Sequence, residues 1–438
     1  MSVQQHSRRR SVLTRAALVA AGSGLLLSAC TSGSGSTDSS APAQPSKVAT
    51  SAGAPASSAA PSTSAAADPV SFASSPAAEA DVNPTTPITL AVTNGTLRNV
   101  SLVNAEGKHV TGKLSADNKS WSTTEVLGYS KSYKMVATAV NSTGEASRVY
   151  RRSFSTLTPS NMTMPYFDTI YGSYIQNGGT YGVGFVPVVN FDESIYRKKA
   201  AERALTVTTS PHVDGSWYWT DDHTVHWRPR HFYKPGTKVT IDAKVYGVEV
   251  GPGLYGQADQ SVSYKIGAKH VAIANAATHR VHVYFNDKLV RNMPTSMGRG
   301  GTTPGKNGLT IYLWTMPGTY TVIGHENPAT MSSDSFGLPA SSPLGYAPEK
   351  VPWATKISTD GIYLHELDAT VWAQGHENLS HGCLNLNYRN AKWYYNTSLV
   401  GDIVKVVHSG GPKLQLWEGG DWTLSWAQWQ KGSAFYKS

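Results

Sequence analysis

Alternating hydrophobic and polar positions fill the chain from about residue 86 onward. Between residues 86 and 157, ITLAVTNGTLRNVSLVN and YKMVATAVNSTGEASRVYRRSFST alternate in this way and are broken by turn signals such as NG and STGE. Side chains on a strand point alternately to its two faces, so this period indicates strands with one buried face. Short strands between frequent turns predict a small antiparallel β-sandwich over residues 86–157.

A second β region covers residues 158–267, with GFVPVVNF, ALTVTTS, TVHWRP and KVTIDAKVYGV as its strands. Aromatic strands with PG and DG turns favour an immunoglobulin-like sandwich, here without the cysteine pair of antibody domains. The chain is therefore predicted to carry two immunoglobulin-like β-sandwich domains in succession. Both are interpreted as spacers or docking modules rather than catalytic units.

A third β-rich unit is predicted over residues 268–408, where KHVAIANAATHRVHVYFNDKLVRNMP opens with two amphipathic strands. GTYTVIG, GIYLHEL and DIVKVVHS are further strands, and NYRNAKWYYNTSLVGD predicts a short helix with Gly401 as its C-cap. In the extension 409–438, Trp422, Trp426 and Trp429 recur at helical spacing, which predicts one helix face packed onto the preceding domain. The predicted fold class is mainly β.

The first 30 residues differ from the rest of the chain in composition. MSVQQHSRRRSVLTR is cationic, and AALVAAGSGLLLSA is an apolar stretch of about 14 residues. This stretch is too short to span a bilayer, which needs roughly 20 residues, so residues 1–30 are predicted to be an export signal. LSAC resembles a bacterial lipobox with Cys30 as the lipidated residue, and RRRSVL resembles a twin-arginine signal. An ordinary secretory signal with an incidental cysteine is the alternative.

Residues 31–85 consist almost entirely of Ser, Ala, Pro, Gly and Thr. Such a segment buries too little apolar surface to offset its ordering entropy, so a disordered tether is predicted. With a lipid on Cys30, the protein is expected on the outer face of the cytoplasmic membrane, reaching into the cell wall. The net charge of +9 is spread along the chain rather than clustered, which argues against a nucleic-acid partner.

Cys383 lies in HENLSHGCLNLN and is the only cysteine beyond residue 30. If Cys30 carries lipid, Cys383 has no partner for an intramolecular disulfide, and a free thiol is unusual in an exported protein. A thiol nucleophile needs a base and donors for the developing oxyanion. His365 closes the predicted strand GIYLHE, with 14 residues between it and Ser380. A histidine at a strand end can reach a cysteine on the loop that follows.

Two other roles for Cys383 stay open at this point. His365, His376, His381 and Cys383 are zinc-ligand types, although the spacing H-x4-H-x-C matches no standard pair of ligand turns. A buried structural cysteine is the second alternative. The glycine-rich stretch GRGGTTPGKNG does not support a phosphate-binding loop, because Lys306 is followed by Asn instead of Ser or Thr.

The pattern H-x14-SHGC-L-N, which runs from His365 to Asn385, resembles the L,D-transpeptidases of bacterial peptidoglycan synthesis. PTSMGRGGTTPGKNG resembles a second family stretch, and TMSSDSFGLPASSPLGYAPEKVPWATKISTDGIYLH resembles the lid and the strand that enters the active site. The lipobox, tether, paired sandwiches and tryptophan-rich tail together resemble the mycobacterial-type members. The resemblance covers nearly the whole mature chain and implies an L,D-transpeptidase catalytic domain over residues 268–408.

The resemblance also implies roles for individual residues. Cys383 is the implied nucleophile and His365 the base, with the imidazole oriented by the main-chain carbonyl of Glu366. The N–H groups of Gly382 and Cys383 are the implied oxyanion donors, helped by the hydroxyl of Tyr346. The resemblance implies that His381 and Asn385 organise the catalytic loop and that Met331, Phe336 and Tyr346 form the lid. The residues implied to contact the substrate are Asp360, Gly361, Asn378, Ser380 and Asn385.

Two positions depart from the family pattern. Glu366 stands where relatives often carry a small residue, so a direct effect of its carboxylate on His365 stays open. Ala369 stands where an aromatic residue is expected after the base, and Trp372 follows it. The acceptor side of the pocket is therefore not defined by the resemblance.

The implied reaction has two steps. Cys383 attacks the carbonyl of the third stem residue, releases the terminal D-Ala and forms a thioester. The side-chain amine of a diamino acid on a neighbouring stem then completes a 3→3 cross-link. No cofactor or metal is implied, and carbapenems are expected to acylate Cys383. An L,D-carboxypeptidase that uses water as the acceptor and an inactive wall-binding scaffold are the alternatives.

Overall fold

The computed structural model describes residues 68–437. The predicted export signal, the lipidation site Cys30 and most of the predicted tether lie outside these described residues. Within residues 68–437, every helix is too short or too polar to cross a membrane. Three β-rich units follow one another along the described chain, as the alternating pattern predicts, and the mainly β fold class is confirmed.

The first unit is a sandwich of two antiparallel sheets. One sheet has the strand order β1-β2-β5-β4 and the other has the order β3-β6-β7. Leu90, Trp121 and Met135 are buried between the two sheets. The strands are β1 (Ser71–Ser75), β2 (Thr89–Thr93), β3 (Thr96–Asn104), β4 (Gly112–Leu114), β5 (Ser120–Thr123), β6 (Ser132–Val140) and β7 (Tyr150–Ser155).

Strand β1 corrects the predicted boundary of the tether. It lies inside residues 31–85 but pairs along its length with β2, so the first sandwich begins before residue 86. The sequence SFASS offers one large apolar side chain, Phe72, whose ring stacks on Tyr150 with 5.1 Å between centroids. One large apolar side chain and pairing with a neighbouring strand are enough for an edge strand. The Ser/Ala composition of β1 led to its assignment to the tether.

The second unit is also a sandwich, with sheets ordered β10-β18-β15-β12 and β13-β14-β11-β9 and a small third sheet, β16-β17-β8. Its core is rich in aromatic side chains, including Phe185, Trp219 and Trp227. The elements are β8 (Asn161–Thr163), β9 (Pro165–Asp168), β10 (Thr180–Tyr181), β11 (Val188–Phe191), α1 (Lys198–Ala204), β12 (Leu205–Ser210), β13 (Gly215–Trp219), β14 (Thr224–Pro229), β15 (Lys238–Ala243), β16 (Glu249–Gly251), β17 (Leu254–Gly256) and β18 (Gln260–Ile266).

The third unit is built on a five-stranded sheet, β21-β20-β19-β31-β24, and a four-stranded sheet, β25-β28-β29-β30. Two hairpins, β22-β23 and β26-β27, extend from these sheets. The elements are β19 (His270–Asn275), β20 (Arg280–Phe285), β21 (Lys288–Pro294), β22 (Thr302–Pro304), β23 (Thr310–Tyr312), β24 (Gly318–Thr321), β25 (Gly324–Glu326), β26 (Ala329–Met331), β27 (Glu349–Val351), β28 (Ala354–Lys356), β29 (Tyr363–Glu366), β30 (Leu384–Leu386), α2 (Tyr388–Thr397) and β31 (Ile403–Val407).

Helix α2 confirms the predicted short helix but ends earlier than predicted. It starts at an Asn387 cap, whose side chain accepts a hydrogen bond from the N–H of Asn390 at 3.0 Å. The chain leaves the helix in an extended Ser398, so the prediction of Gly401 as C-cap is wrong. Gly401 instead forms the turn into β31 with φ +95°, and an added Cβ would lie 2.7 Å from Phe185 Cβ.

The second and third units share a packed junction. Ile403 of β31 is fully buried and belongs to the core of the second sandwich. The N–H groups of Gly182 and Gly184 donate to the carbonyls of Val400 and Gly401 at 2.8 and 2.9 Å. A strand of the third unit therefore rests on the second sandwich through both apolar contact and main-chain hydrogen bonds.

The C-terminal extension packs on two units rather than only on the one that precedes it. Leu414 lies in the core of the third unit. Trp422 belongs to a 3₁₀ turn (Asp421–Thr423) outside α3 (Trp426–Gln430), so the prediction of one continuous helix face is wrong. All three indoles nevertheless surround the guanidinium of Arg228 from the second sandwich, with ring centroids 4.7–5.8 Å from its central carbon.

Candidate active site

Strands β29 and β30 bring the two halves of the sequence motif together. They run parallel, with Leu364 opposite Leu384 and His365 opposite Asn385. Leu364 and Leu384 are buried in the core of the third unit, so His365 and Asn385 point to the other face of the sheet. Cys383 directly precedes β30 and is on the same face as His365 by this alternation. The predicted thiol and base therefore face one side of a rigid sheet.

His365 is buried and held in one orientation. Its Nδ1–H donates to the main-chain carbonyl of Glu366 at 2.8 Å, and because a carbonyl only accepts, Nε2 carries the free lone pair. Burial lowers the pKa of His365 to about 4. The imidazole is thus neutral near pH 7 and able to take a proton.

The Glu366 carboxylate is not directed at His365. Successive residues of a strand point to opposite faces, which puts this side chain on the far side of β29. Burial and the neighbouring Asp368 raise the pKa of Glu366, whereas the pKa of His365 responds to burial and the Glu366 carbonyl. The main-chain carbonyl of Glu366 therefore orients His365, and the Glu366 carboxylate has no direct effect on it.

Cys383 is a half-buried free thiol. Its Sγ lies 3.6 Å from the carbonyl oxygen of Gly361. Burial raises the pKa of Cys383 to about 12, with the charges of Asp360 and Glu349 acting in the same direction and a backbone contact from Tyr363 opposing them. The resting group is a neutral thiol, which becomes a strong nucleophile only when a base removes its proton.

The turn from Ser380 to Cys383 is held by one hydroxyl. Ser380 Oγ donates to the carbonyl of Cys383 at 2.6 Å and accepts from the N–H of Gly382 at 3.0 Å. Gly382 has φ +142°, in the region that favours glycine. The N–H of Gly382, implied as an oxyanion donor, is therefore directed at Ser380. The N–H of Cys383 has no acceptor within residues 68–437.

The lid comprises hairpin β26–β27 and the segment it encloses, residues 329–351. His381 Nε2 donates to the carbonyl of Leu344 at 2.6 Å, which ties the lid to the catalytic loop. The His381 ring lies 5.2 Å from that of Tyr346 and 6.1 Å from that of Phe336. Met331 packs in the same small cluster as Tyr346 and Cys383. The structure thus brings the predicted lid residues together above the thiol.

The predicted substrate contacts divide into two groups. Asp360 and Gly361 lie beside the thiol, where burial raises the pKa of Asp360 and Gly361 takes φ +108°. Asn378 is held by hydrogen bonds to neighbouring segments. Its Oδ1 accepts from the Met297 N–H and the His279 ring, and its Nδ2 donates to the Ala276 carbonyl. Those three bonds commit Asn378 to anchoring the loop, with one amide hydrogen left over.

The segment after β29 has no aromatic side chain at the position where the family pattern suggests one. Ala369 lies in a short 3₁₀ turn (Asp368–Thr370) after β29. Trp372 is 68% exposed, so it does not close the site in this conformation. No group of three or more metal-ligating side chains lies close enough to hold an ion among the described residues.

Thr315 and Ser296 are site residues that the sequence did not predict. Thr315 is fully buried and its hydroxyl donates to the carbonyl of Gly382 at 2.7 Å. Ser296 Oγ accepts from the N–H of Leu379 at 3.0 Å. Both belong to segments far from the cysteine motif in the sequence. Ser296 lies in the stretch PTSMGRGGTTPGKNG, which resembles the family but was given no role for this serine, and no local signal indicated Thr315.

Comparison with known proteins identifies the family of the chain. A model of the bacterial Ig domain matches residues 79–249, and one of the L,D-transpeptidase catalytic domain matches residues 269–406. The chain is 40% identical to L,D-transpeptidase 2 of Mycobacterium tuberculosis, over 81% of this chain and 82% of that protein. It is 34% identical to L,D-transpeptidase 5 of the same species, over 81% and 75%. A crystal structure of L,D-transpeptidase 3 from that species, in complex with a faropenem-derived adduct, is 30% identical, covering 53% of this chain and 94% of that one with a TM-score of 0.42. Because the identity to L,D-transpeptidase 2 extends over most of both proteins and the catalytic-domain model matches residues 269–406, the chain belongs to the L,D-transpeptidase family.

Proposed function

We propose that this L,D-transpeptidase uses Cys383 as its nucleophile and forms 3→3 cross-links between peptidoglycan stems. The observation that supports this best is the shared sheet face of Cys383 and His365, with the histidine Nδ1 committed to the Glu366 carbonyl. A neutral thiol on the same sheet face as a neutral imidazole whose free lone pair is on Nε2 has the two groups that a thiol nucleophile and its base require.

In the proposed first half-reaction, Cys383 Sγ adds to the carbonyl carbon of the third stem residue. The thiol proton passes to His365 Nε2, and the electron pair of the C=O bond moves to oxygen. When the carbonyl re-forms, the C–N bond to the terminal D-Ala breaks and the leaving amine takes the proton from His365. The product is a thioester on Cys383 and free D-Ala.

The second half-reaction reverses these proton transfers with a different amine. The side-chain amine of a diamino acid on a neighbouring stem adds to the thioester and gives a proton to His365. The C–S bond then breaks, and Cys383 recovers the proton. Because burial lowers the pKa of His365 to about 4, its protonated ring gives its proton readily to the leaving sulfur or nitrogen.

Product analysis with a tetrapeptide stem tests the reaction. The full exported chain is expected to release D-Ala and to accumulate a stem dimer joined between two third residues, identified by tandem mass spectrometry. Tripeptide without dimer would instead identify an L,D-carboxypeptidase, and no turnover at all would identify an inactive scaffold. The same protein is expected to gain the mass of one carbapenem, because the strained β-lactam carbonyl is also an electrophile for Cys383.

We propose further that the protein is exported and anchored by a lipid on Cys30, which rests on the cationic, apolar and LSAC segments in succession. Wild-type protein expressed in an actinobacterial host is expected in the membrane fraction. Cys30→Ala is expected to move it to the soluble exported fraction. Membrane association that survives this substitution would contradict the anchor.

A further inference from the structure

Thr315 connects three segments of the active site through one hydroxyl. Its Oγ1 accepts from the N–H of Gly298 at 2.9 Å and donates to the carbonyl of Gly382 at 2.7 Å. We propose that Thr315 is a positioning residue, which holds the Gly382–Cys383 peptide so that the Cys383 N–H points at the oxyanion of acyl transfer. The inference rests on the proposed role of Cys383 as nucleophile.

The planar peptide group links the Gly382 carbonyl to the Cys383 N–H. A trans peptide is planar, so the carbonyl of Gly382 and the N–H of Cys383 point in opposite directions from one rigid plate. A hydrogen bond that fixes the carbonyl therefore also fixes the direction of the N–H. This N–H belongs to the nucleophile itself and has no acceptor within residues 68–437.

The neighbouring N–H group, that of Gly382, is not free to replace the Cys383 N–H as oxyanion donor. The Gly382 N–H is directed at Ser380 Oγ, which also holds the carbonyl of Cys383. Ser380 thus fixes the peptide groups on either side, and Thr315 fixes the one between them. Three consecutive peptide groups are held by two hydroxyls, and the single main-chain donor left over is that of Cys383.

The packing around Thr315 makes it a firm support. It is fully buried, and a β-branched side chain has a restricted χ1. A Cβ added to Gly298 would lie 2.4 Å from the Thr315 nitrogen, so the two segments touch backbone to backbone. A Cβ added to Gly382 would lie 3.4 Å from the Trp314 carbonyl oxygen. Close main-chain packing on both sides therefore fixes the position of the Thr315 hydroxyl.

A purely structural role for Thr315 makes a different chemical prediction. Acyl transfer develops negative charge on the carbonyl oxygen, and a preorganised donor lowers the energy of that state. Alkylation by iodoacetamide displaces iodide from carbon, so no charge builds up on an oxygen at the attacked atom. A positioning role should therefore affect acylation and leave alkylation unchanged, whereas a general disturbance of the thiol would affect both.

The experiment measures both rate constants at Cys383 in the full exported chain, with a carbapenem as acylating agent and iodoacetamide as alkylating agent. Thr315→Val keeps the shape but removes the hydroxyl. It is expected to slow acylation about 10- to 100-fold, because a small displacement of a reacting group costs up to that much, and to leave alkylation within about twofold. Thr315→Ser restores the hydroxyl and is expected to recover most of the acylation rate.

Three results would overturn the proposal. Acylation unchanged in Thr315→Val, equal losses in both reactions, or no recovery in Thr315→Ser would each show that the hydroxyl does not aim the oxyanion donor. Thr315→Ala, which also lacks the hydroxyl but adds no apolar bulk beside Gly382, supplies the same comparison if Thr315→Val does not fold. Wild-type protein that is alkylated at Cys383 but never acylated would refute the nucleophile itself and identify that failure separately.

Discussion

Replacing His365 with alanine is expected to slow acylation of Cys383 by about 10²- to 10⁴-fold, the usual contribution of a positioned general base. The thiol is the reason for so large an effect. With a pKa of about 12, almost none of it is ionised near pH 7, so its attack depends on transfer of the proton to a neighbour. His365 is the buried base on the same sheet face.

The pH dependence gives this prediction a second readout. Burial lowers the pKa of His365 to about 4, so the imidazole is neutral at pH 7 and becomes protonated only as the pH falls through that value. Acylation of the wild type by a carbapenem is therefore expected to change little between about pH 7 and 5 and to fall below about pH 4. The residual rate of His365→Ala should lack this step and rise with pH as the thiol ionises.

Two control variants define the measurement. Cys383→Ala should give no carbapenem adduct in intact-mass spectra at any pH. His376→Ala removes an exposed histidine that belongs to the same segment but has no part in the proposed reaction, and it should react at the wild-type rate. An undiminished rate in His365→Ala, or an inflection near pH 6.5 in the wild type, would contradict the assignment of His365 as the buried base.

The chemistry of the site was more accessible to sequence reasoning than its architecture. Cys383 and His365 are indicated by residue type and by the motif around them. The parallel register of β29 against β30, which puts them on one face, depends on long-range strand pairing. No local pattern encodes that pairing, and the same limit hid Thr315, whose partners Gly298 and Gly382 are distant in the chain.

The errors in the fold prediction have local physical causes. Strand β1 was assigned to the tether because SFASS has the composition of a linker, although one phenylalanine and a full ladder with β2 suffice at a sheet edge. Gly401 is suitable as a helix C-cap, but its positive φ serves the turn into β31.

The tryptophan tail shows that residues at helical spacing can belong to two different short elements. Trp422, Trp426 and Trp429 do recur at helix-like intervals, and all three reach one neighbour, Arg228. They do so from a 3₁₀ turn followed by a short helix, because Leu424 is extended and the capping box at Ser425 starts α3 after it. The main-chain carbonyls of Asp421 and Leu424 accept hydrogen bonds from the Arg228 guanidinium. The spacing predicted the common face and not the element that presents it.

Replacing Trp429 with alanine is expected to lower the free energy of unfolding by about 3–5 kcal/mol, the usual range for a buried aromatic side chain. Trp429 is fully buried against the second sandwich. Its Nε1–H donates to the carbonyl of Ser216 at 2.9 Å, and its ring lies 4.9 Å from that of Tyr218. Truncation leaves a cavity and an unpaired Ser216 carbonyl, and it removes one of the indoles that pack on Arg228. Urea denaturation followed by circular dichroism measures the total loss in the free energy of unfolding.

Trp417→Ala is the matched control for that measurement, because the same residue type in the same tail is 70% exposed. Its expected effect is within about 0.5 kcal/mol, as for most surface substitutions. The tail also contacts a segment next to the active site. Thr359, the residue before Asp360, donates from its N–H to the carbonyl of Glu418 and from its hydroxyl to the carbonyl of Trp417. Trp417→Ala keeps those main-chain carbonyls and should keep full acylation, whereas a tail released by Trp429→Ala should slow acylation as well as lower stability. Equal stability losses in the two variants would show that the buried contact with the second sandwich does not hold the tail in place.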